Sequence, residues 1–491
     1  MSLSHKLGRG SFFYTASNIL QRGISFLLLP LYTHYLTPGD YGILAVVTTL
    51  NGFLAILFTW SMPAAVGRFY FDFRDQPETL KEFWGTVVTA IWGLSFLSGA
   101  LLLAAGDHLL KPVMGEIPFW PYFALGIGAL VFQPFFQVFL STLQVKGQAG
   151  LYVVFSTGQF LVNLLMVVAL VVLFEWHAEG PLFALLVTSM LFSVVALVYF
   201  KKDFKFVFRM RYFKMAAHYS LPLVPHSLSA QILMVTDKFF LNSMVDAATA
   251  GIYHIAYLLG ATIAIIGDNI NRAYVPVAME ALTENTPDIL QQLKRNGTLL
   301  MSGYCLLGVG VSFFSEEVLR LFTTEAYFPA FTVVPCIAFG FVLGNIYYVL
   351  VNILMYKKEM TKWVSIATLT GAAVNVGLNI LLIPSFGMLG AAWATLVSQG
   401  VMTAVVGAMG HPLEPFRWEY GKIAAAYTAC AAIALLLPEL DLIPSFGVVL
   451  MKVLVAFFMI LSMGSYMFGD SWYFFRLLSR WKSLLSRSAS S

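Results

Sequence analysis

The sequence predicts an all-α polytopic membrane protein of about 14 transmembrane helices, arranged as two pseudo-symmetric six-helix bundles with two extra C-terminal helices. Three observations carry that expectation: the composition, the segregation of basic residues, and short words repeated at a common offset. Of 491 residues, 59% are hydrophobic and 11% charged, and mean hydropathy is +0.79. Soluble chains are about one-quarter charged. A bilayer-spanning helix takes ~20 mostly apolar residues, so the apolar pool suffices for that number of spans. A soluble enzyme with a single anchor is excluded.

Apolar runs between polar breaks place the spans near 11–35, 42–66, 84–106, 119–142, 151–174, 180–200, 219–243, 250–270, 297–315, 329–354, 363–383, 388–409, 421–437 and 447–468. The first follows Lys6 and Arg9, but it outruns a signal-peptide core, holds Arg22 at its centre and ends without a small-residue cleavage site. It reads as a retained span. The second opens after Thr37-Pro38-Gly39-Asp40, whose Pro-Gly pair fits a type II turn. Spans three to six are separated by short polar breaks, and the most basic loop, 201–217, ends the first bundle. The seventh opens Ser220-Leu221-Pro222-Leu223-Val224-Pro225-His226. Two prolines three apart free backbone carbonyls and predict a kinked or broken helix beside a cavity. The eighth follows Thr249-Ala250-Gly251, and in the tenth Gly340 and Gly344 read as helix packing. After the last span, a tail from Trp472 alternates Leu477, Leu478, Trp481, Leu484 and Leu485 with Arg476, Arg480 and Arg487. That pattern is a basic amphipathic helix lying on anionic membrane lipid.

Orientation follows from the basic residues. With the N-terminus inside, 24 of the 29 Lys and Arg fall in cytoplasmic connections or termini, and only Lys111 and Arg320 fall opposite. Losing one span would destroy the asymmetry, so both termini are expected in the cytoplasm. The repeated words are Asp40-Tyr41-Gly42-Ile43 with Thr249-Ala250-Gly251-Ile252, Asn163 with Asn375, and the stretch from Gly180 with that from Gly390. Their offsets agree to within three residues. The expected divisions are an N-terminal bundle at 1–207, a C-terminal bundle at 208–412, and 413–491 with the last two spans and tail. Two halves about an axis along the membrane normal are a transporter architecture, with the site between them near the midplane.

Ionisable residues within spans cost about 2.5–3.5 kcal/mol at a helix centre, so they are candidate functional groups. Arg22 is some 11 residues from either end of its run, too far to snorkel well, and points to a cavity lining. Asp237 and Lys238 are adjacent on span seven and face about 100° apart, so at least one needs another partner. Asp268 and Arg272 form an i,i+4 pair near the inner end of span eight. Arg68 lies at the inner end of span two. Arg68 and Arg272 read equally as interfacial snorkelling arginines, and Asp268–Arg272 as a structural ion pair. Lys452 lies close enough to a helix end to snorkel. His226 reads as a proton carrier or, more simply, as a hydrogen-bonded histidine.

Other chemistries find no support. Net charge of +4 is too mild for nucleic acid. Cys305, Cys336 and Cys430 lie singly in apolar runs, with no metal or disulfide spacing, and read as small core residues. No phosphate-binding loop, nucleophile elbow or dinucleotide motif is present, so ATP-driven transport has no basis and the chain does not read as an enzyme. No cofactor or metal is expected.

The segment from Ile24 to Gly42, containing Leu29-Pro30-Leu31-Tyr32 and Thr37-Pro38-Gly39-Asp40-Tyr41-Gly42, resembles the first-hairpin signature of bacterial polysaccharide exporters. These are the lipid-linked oligosaccharide (O-antigen type) flippases of the multidrug/oligosaccharidyl-lipid/polysaccharide exporter superfamily. Thr236-Asp237-Lys238-Phe239-Phe240-Leu241 and Ala250-Gly251-Ile252-Tyr253 resemble the family's acidic-basic pair in helix seven and its Gly-x-Tyr opening of helix eight. The second hairpin departs from the first in lacking its proline and tyrosine. The resemblance implies movement of an undecaprenyl-diphosphate-linked glycan between leaflets of the bacterial inner membrane, alongside a glycan polymerase and other polysaccharide-assembly proteins. It implies phosphate contacts from Arg22, Arg68, Lys238 and Arg272, and coupling to a proton or sodium ion through Asp237, Asp268 or His226. The rival readings are a multidrug–cation antiporter of the same fold, a membrane enzyme of glycan assembly, and a non-transporting scaffold for a sugar-synthesis complex.

Overall fold

A computed structural model describes residues 28–436 and Lys452. The described residues form helices and connections, with no strand among them. In chain order the helices are α1 (Leu29–Tyr35), α2 (Pro38–Thr59), α3 (Pro63–Phe73), α4 (Pro77–Leu109), α5 (Ala124–Val145), α6 (Ala149–Val168), α7 (Glu179–Phe200) and α8 (Met210–Ser220). There follow α9 (Leu223–Met244), α10 (Ala247–Glu284), α11 (Pro287–Phe313), α12 (Ser315–Phe322), α13 (Val334–Tyr356), α14 (Thr361–Gly410) and α15 (Tyr420–Leu436). Among the described residues nine helical segments are long and apolar enough to cross a membrane. Part of the first expected span, the last span apart from Lys452, and the basic tail lie outside the described residues.

The chain divides into two compact units. One comprises Met1–His254, Arg320–Phe328 and Asn379–Met388, the other Ile255–Leu319, Pro329–Leu378 and Leu389–Ser491. The first unit is built on aromatic packing. Phe83, Trp84, Phe135, Phe136, Phe139 and Phe200 are fully buried between α4, α5 and α7. Tyr70 stacks on Trp84 at 6.0 Å. The basic loop after α7 is strapped to α4: Lys205 N–H donates to the Lys81 carbonyl at 3.1 Å, and Thr86 Oγ1 donates to the Val207 carbonyl at 3.1 Å. Lys205 also pairs with Glu78, which raises its pKa. In the second unit, Asn345 of buried α13 donates to the Ile263 carbonyl of α10 at 2.9 Å. Gly340 and Gly344 bring α13 against Thr395, Leu396 and Gln399 of α14, as expected of a packing pair. Cys305, Cys336 and Cys430 are buried and free. Lys452 meets Glu317 at 2.6 Å.

Two local expectations are corrected and others are sharpened. Pro38-Gly39 is the first turn of α2 instead of a type II turn. Thr37 caps that helix, its Oγ1 accepting from Asp40 N–H at 3.1 Å while Asp40 accepts from the Thr37 N–H at 3.1 Å. This reciprocal capping box satisfies two orphan donors, and proline suits the first helical position. The turn before span eight is likewise a cap: Asp246 accepts from Thr249 N–H at 2.6 Å. Span two is interrupted. Trp60 and Ser61 take φ of +50° and +55°, ending α2 and starting α3 one turn later. The prolines of span seven break the helix, as expected of them, separating α8 from α9: Pro222 caps α9 and Pro225 falls in its first turn, where no intrahelical N–H bond is lost. In α14, Gly387 at φ +53°, ψ −129° breaks the helix between the expected eleventh and twelfth spans.

The first unit also contains a close crossing of α2 and the start of α10. A Cβ on Gly42 would lie 1.7 Å from the Ala247 carbonyl oxygen, and one on Gly251 would lie 2.3 Å from that of Pro38. Each glycine therefore faces the residue four before the other. Gly42 and Gly251 are the matched glycines of the repeated words, so the repeat is expressed as a reciprocal backbone contact.

Candidate functional site

The charged centre of the first unit is carried by α9. Asp237 and Lys238 are 1% and 5% exposed. Their burial follows from the packing of α9 against α2 and the connection after α4. Asp237 is held from two other elements. Tyr253, in the second turn of α10, donates its hydroxyl to Oδ2 at 2.7 Å. Asn379 of α14 donates Nδ2 to Oδ1 at 2.7 Å. Both donors are themselves fully buried. The two bonds tie Asp237 to α10 and to the Asn379 segment. One turn along α9, Asn242 donates to the Val113 and Met114 carbonyls, both at 2.9 Å, which fixes the helix against the connection after α4.

Next to Tyr253, the ring of His254 lies 5.6 Å from that of Tyr41. Its Nδ1 is buried without a hydrogen-bond partner among the described residues. Tyr41, His254, Tyr32, Thr48 and Asn163 line a cavity of about 200 Å³. Asn163, matched by sequence offset to Asn375, has a buried Oδ1 with no partner among the described residues. In the second unit, Asn375 is buried and donates to Ser398 Oγ at 3.5 Å.

The other candidate residues do not join this cluster. Arg68 of α3 is half exposed, pairs with Asp72 at 2.8 Å and lies over Phe69 at 5.9 Å. Asp72 holds its guanidinium in the charged form. Arg272 is exposed and binds Asp268 through two nitrogens, each at 3.1 Å, as the i,i+4 spacing predicts. That pair belongs to the second unit. Arg22 lies outside the described residues, as does the His226 side chain. Tyr253 and Asn379, which hydrogen-bond to Asp237, were not among the residues singled out by charge. Being neutral, they leave no mark in a charge reading, although Asn379 lies one helical turn after Asn375, which the repeat does mark.

A family model described as polysaccharide biosynthesis protein matches residues 7–281. Protein 1 of the Lsg locus of Haemophilus influenzae is 24% identical over 299 residues, covering 59% of this chain and 70% of that protein. Among solved structures, the lipid II flippase MurJ in an inward closed conformation aligns with a TM-score of 0.72 at 14% identity, over 94% of this chain and 99% of that one. An inward-facing multidrug resistance MATE transporter of the MOP superfamily aligns with a TM-score of 0.62 at 16% identity, over 82% and 95% of the two chains. At these identities the likeness is one of fold.

Proposed function

The chain belongs to the polysaccharide biosynthesis protein family, and from that premise we propose that it flips an undecaprenyl-diphosphate-linked oligosaccharide repeat unit across the bacterial inner membrane. Transport proceeds by alternating access, coupled to a proton or sodium ion, and serves a surface polysaccharide such as O-antigen, capsule or exopolysaccharide. In this reading the chain is a transporter that needs no cofactor, both termini are cytoplasmic, and a polymerase and other assembly proteins receive the product.

The observation that carries the reading is the Asp237 carboxylate, buried on α9 and bonded to Tyr253 and Asn379. A buried carboxylate in lipid-embedded protein is costly. A cation or proton arriving at it competes with the two donors, so occupancy alters the tie between α9, α10 and the Asn379 segment of the first unit. A ligand shifts a conformational equilibrium only through such differential contacts. Lys238, together with Arg22, Arg68 and Arg272, is assigned to the diphosphate, for which arginine offers bidentate bonds. Asp268 is the second coupling candidate, and His226 the third.

The test is deletion followed by lipid analysis. The expected result is accumulation of lipid-linked repeat units on the inner leaflet with loss of surface polymer. Single repeat units attached outside would instead indicate a polymerase defect. Resistance to cationic dyes on expression, with surface polymer unchanged on deletion, would indicate the antiporter reading.

A further inference from the structure

We propose that the cavity between α2 and α5 is the saccharide subsite of the flippase, and that Asn51, Gln133 and Gln137 are its specificity-determining residues. The inference rests on the flippase reading above and adds where the sugar is held and by what chemistry. The cavity has a volume of about 530 Å³, within the ~300–1,000 Å³ range of small-molecule sites. Its polar wall consists of the amides of Asn51, Gln133 and Gln137 and the hydroxyls of Thr48, Thr59, Ser61 and Ser141. No charged side chain lines it among the described residues.

The donors and acceptors of that wall suit a ligand rich in hydroxyl groups. Thr48, Thr59 and Ser141 each donate to the carbonyl four residues back, at 2.6, 2.8 and 2.9 Å. Their protons are committed, so toward the cavity these hydroxyls offer lone pairs. Pro134 has no N–H and leaves the Leu130 carbonyl without its helical donor, and both residues line the cavity. Asn51 donates to the Gly126 carbonyl at 3.1 Å, and its Oδ1 has no partner among the described residues. Gln133 and Gln137 stand one turn apart on α5, and neither side-chain amide bonds to another described residue. Each amide supplies both donors and an acceptor. A sugar hydroxyl both donates and accepts, so it pairs with either kind of group. A cationic drug would meet donors and neutral acceptors but no carboxylate among the described residues.

The cavity also abuts strained backbone. Ser61, one of two consecutive non-glycine residues with positive φ, lines it where α2 stops. Such residues persist where their surroundings over-determine them and cluster at functional sites.

The test uses the full chain in nanodiscs of phosphatidylethanolamine and phosphatidylglycerol with two soluble probes, citronellyl diphosphate and its N-acetylglucosamine conjugate. Each neutral hydrogen bond is worth roughly fivefold in affinity, so the conjugate is expected to bind several-fold more tightly than the bare diphosphate. In the Gln133→Leu/Gln137→Leu variant that gain is expected to disappear while affinity for bare citronellyl diphosphate stays unchanged, which also reports that the variant is folded. Asn51→Leu is expected to reduce the gain on its own. If the wild type binds both probes equally, or the double variant keeps the full gain, the saccharide subsite is overturned and the flippase reading stands. If neither probe binds the wild type, the flippase reading fails and the subsite falls with it.

Discussion

At the scale of single residues, the informative contrast is between Asp237 and the pair Asp268–Arg272. Both aspartates sit in apolar helices, yet Asp268 has a basic partner on its own helix whereas Asp237 takes hydrogen bonds from residues 16 and 142 positions away. Removing one donor takes a hydrogen bond from a buried acceptor, which costs more than losing one at the surface. Tyr253→Phe is therefore expected to lower stability by about 2 kcal/mol, the range for hydrogen bonds to charged groups, read as a fall in melting temperature of the detergent-solubilised protein. Asp237→Asn removes the charge with little change of volume. Transport in vesicles by this variant is expected to lose its dependence on an ion gradient, and unaltered sensitivity to an uncoupler would remove Asp237 from the coupling role. Asp237 and Lys238 were legible in the sequence because charge in an apolar run is conspicuous. Tyr253 and Asn379 were not, since a buried tyrosine or asparagine is indistinguishable from ordinary helix packing until tertiary structure brings it to a carboxylate.

Helices and their crossings show a different balance. The nearness of α2 and α10 depends on two hydrogen atoms, those standing where Gly42 and Gly251 would have a Cβ. The obstructing atoms are backbone carbonyls, which cannot rotate away as a side chain can. Gly42→Ala and Gly251→Ala are each expected to cost about 1–3 kcal/mol, the usual range for overpacking, measured as reduced melting temperature and yield of monodisperse protein. Gly93→Ala and Gly377→Ala, where a Cβ meets nothing within 4 Å, are the matched controls and are expected to be tolerated. Because Gly42 and Gly251 share one crossing, the double variant is expected to cost less than the two single effects combined. The glycines themselves were legible as matched positions of a repeat, but their contact was not, because sequence offset says nothing of distance. The cap at Thr37 was legible in principle: Thr-x-x-Asp before an apolar run is a helix-start signal, and Pro38-Gly39 masks it by also satisfying a type II turn. The break at Trp60–Ser61 carries no comparable mark, since neither residue favours a left-handed backbone.

At the scale of the whole molecule, the distribution of charge makes the sharpest statement, because it needs no side-chain contact to be right. In the 14-span reading 24 of the 29 basic residues fall on one side, and the alternative orientation would place nearly all of them where positive charge is disfavoured. The cavity between α2 and α5 runs toward that same side, since Ser141 lies shortly before Lys146 and Ser61 shortly before Arg68. In the proposed orientation it is reached from the inner half of the bilayer, where a lipid-linked sugar is made available for transfer. Cysteine accessibility tests this directly. The native cysteines Cys305, Cys336 and Cys430 are buried, so background labelling of the folded protein is expected to be low. Asp107→Cys, exposed near the end of α4, is expected to react with a membrane-impermeant maleimide in intact spheroplasts. Lys202→Cys, exposed in the basic loop, is expected to react only after permeabilisation. The reverse pattern would invert the molecule and put the cavity on the outer side, where it would meet cargo only after transfer. The saccharide subsite of Gln133 and Gln137 would then act on release instead of on uptake, so a single topology measurement constrains both the orientation and the stage of transport that the subsite serves.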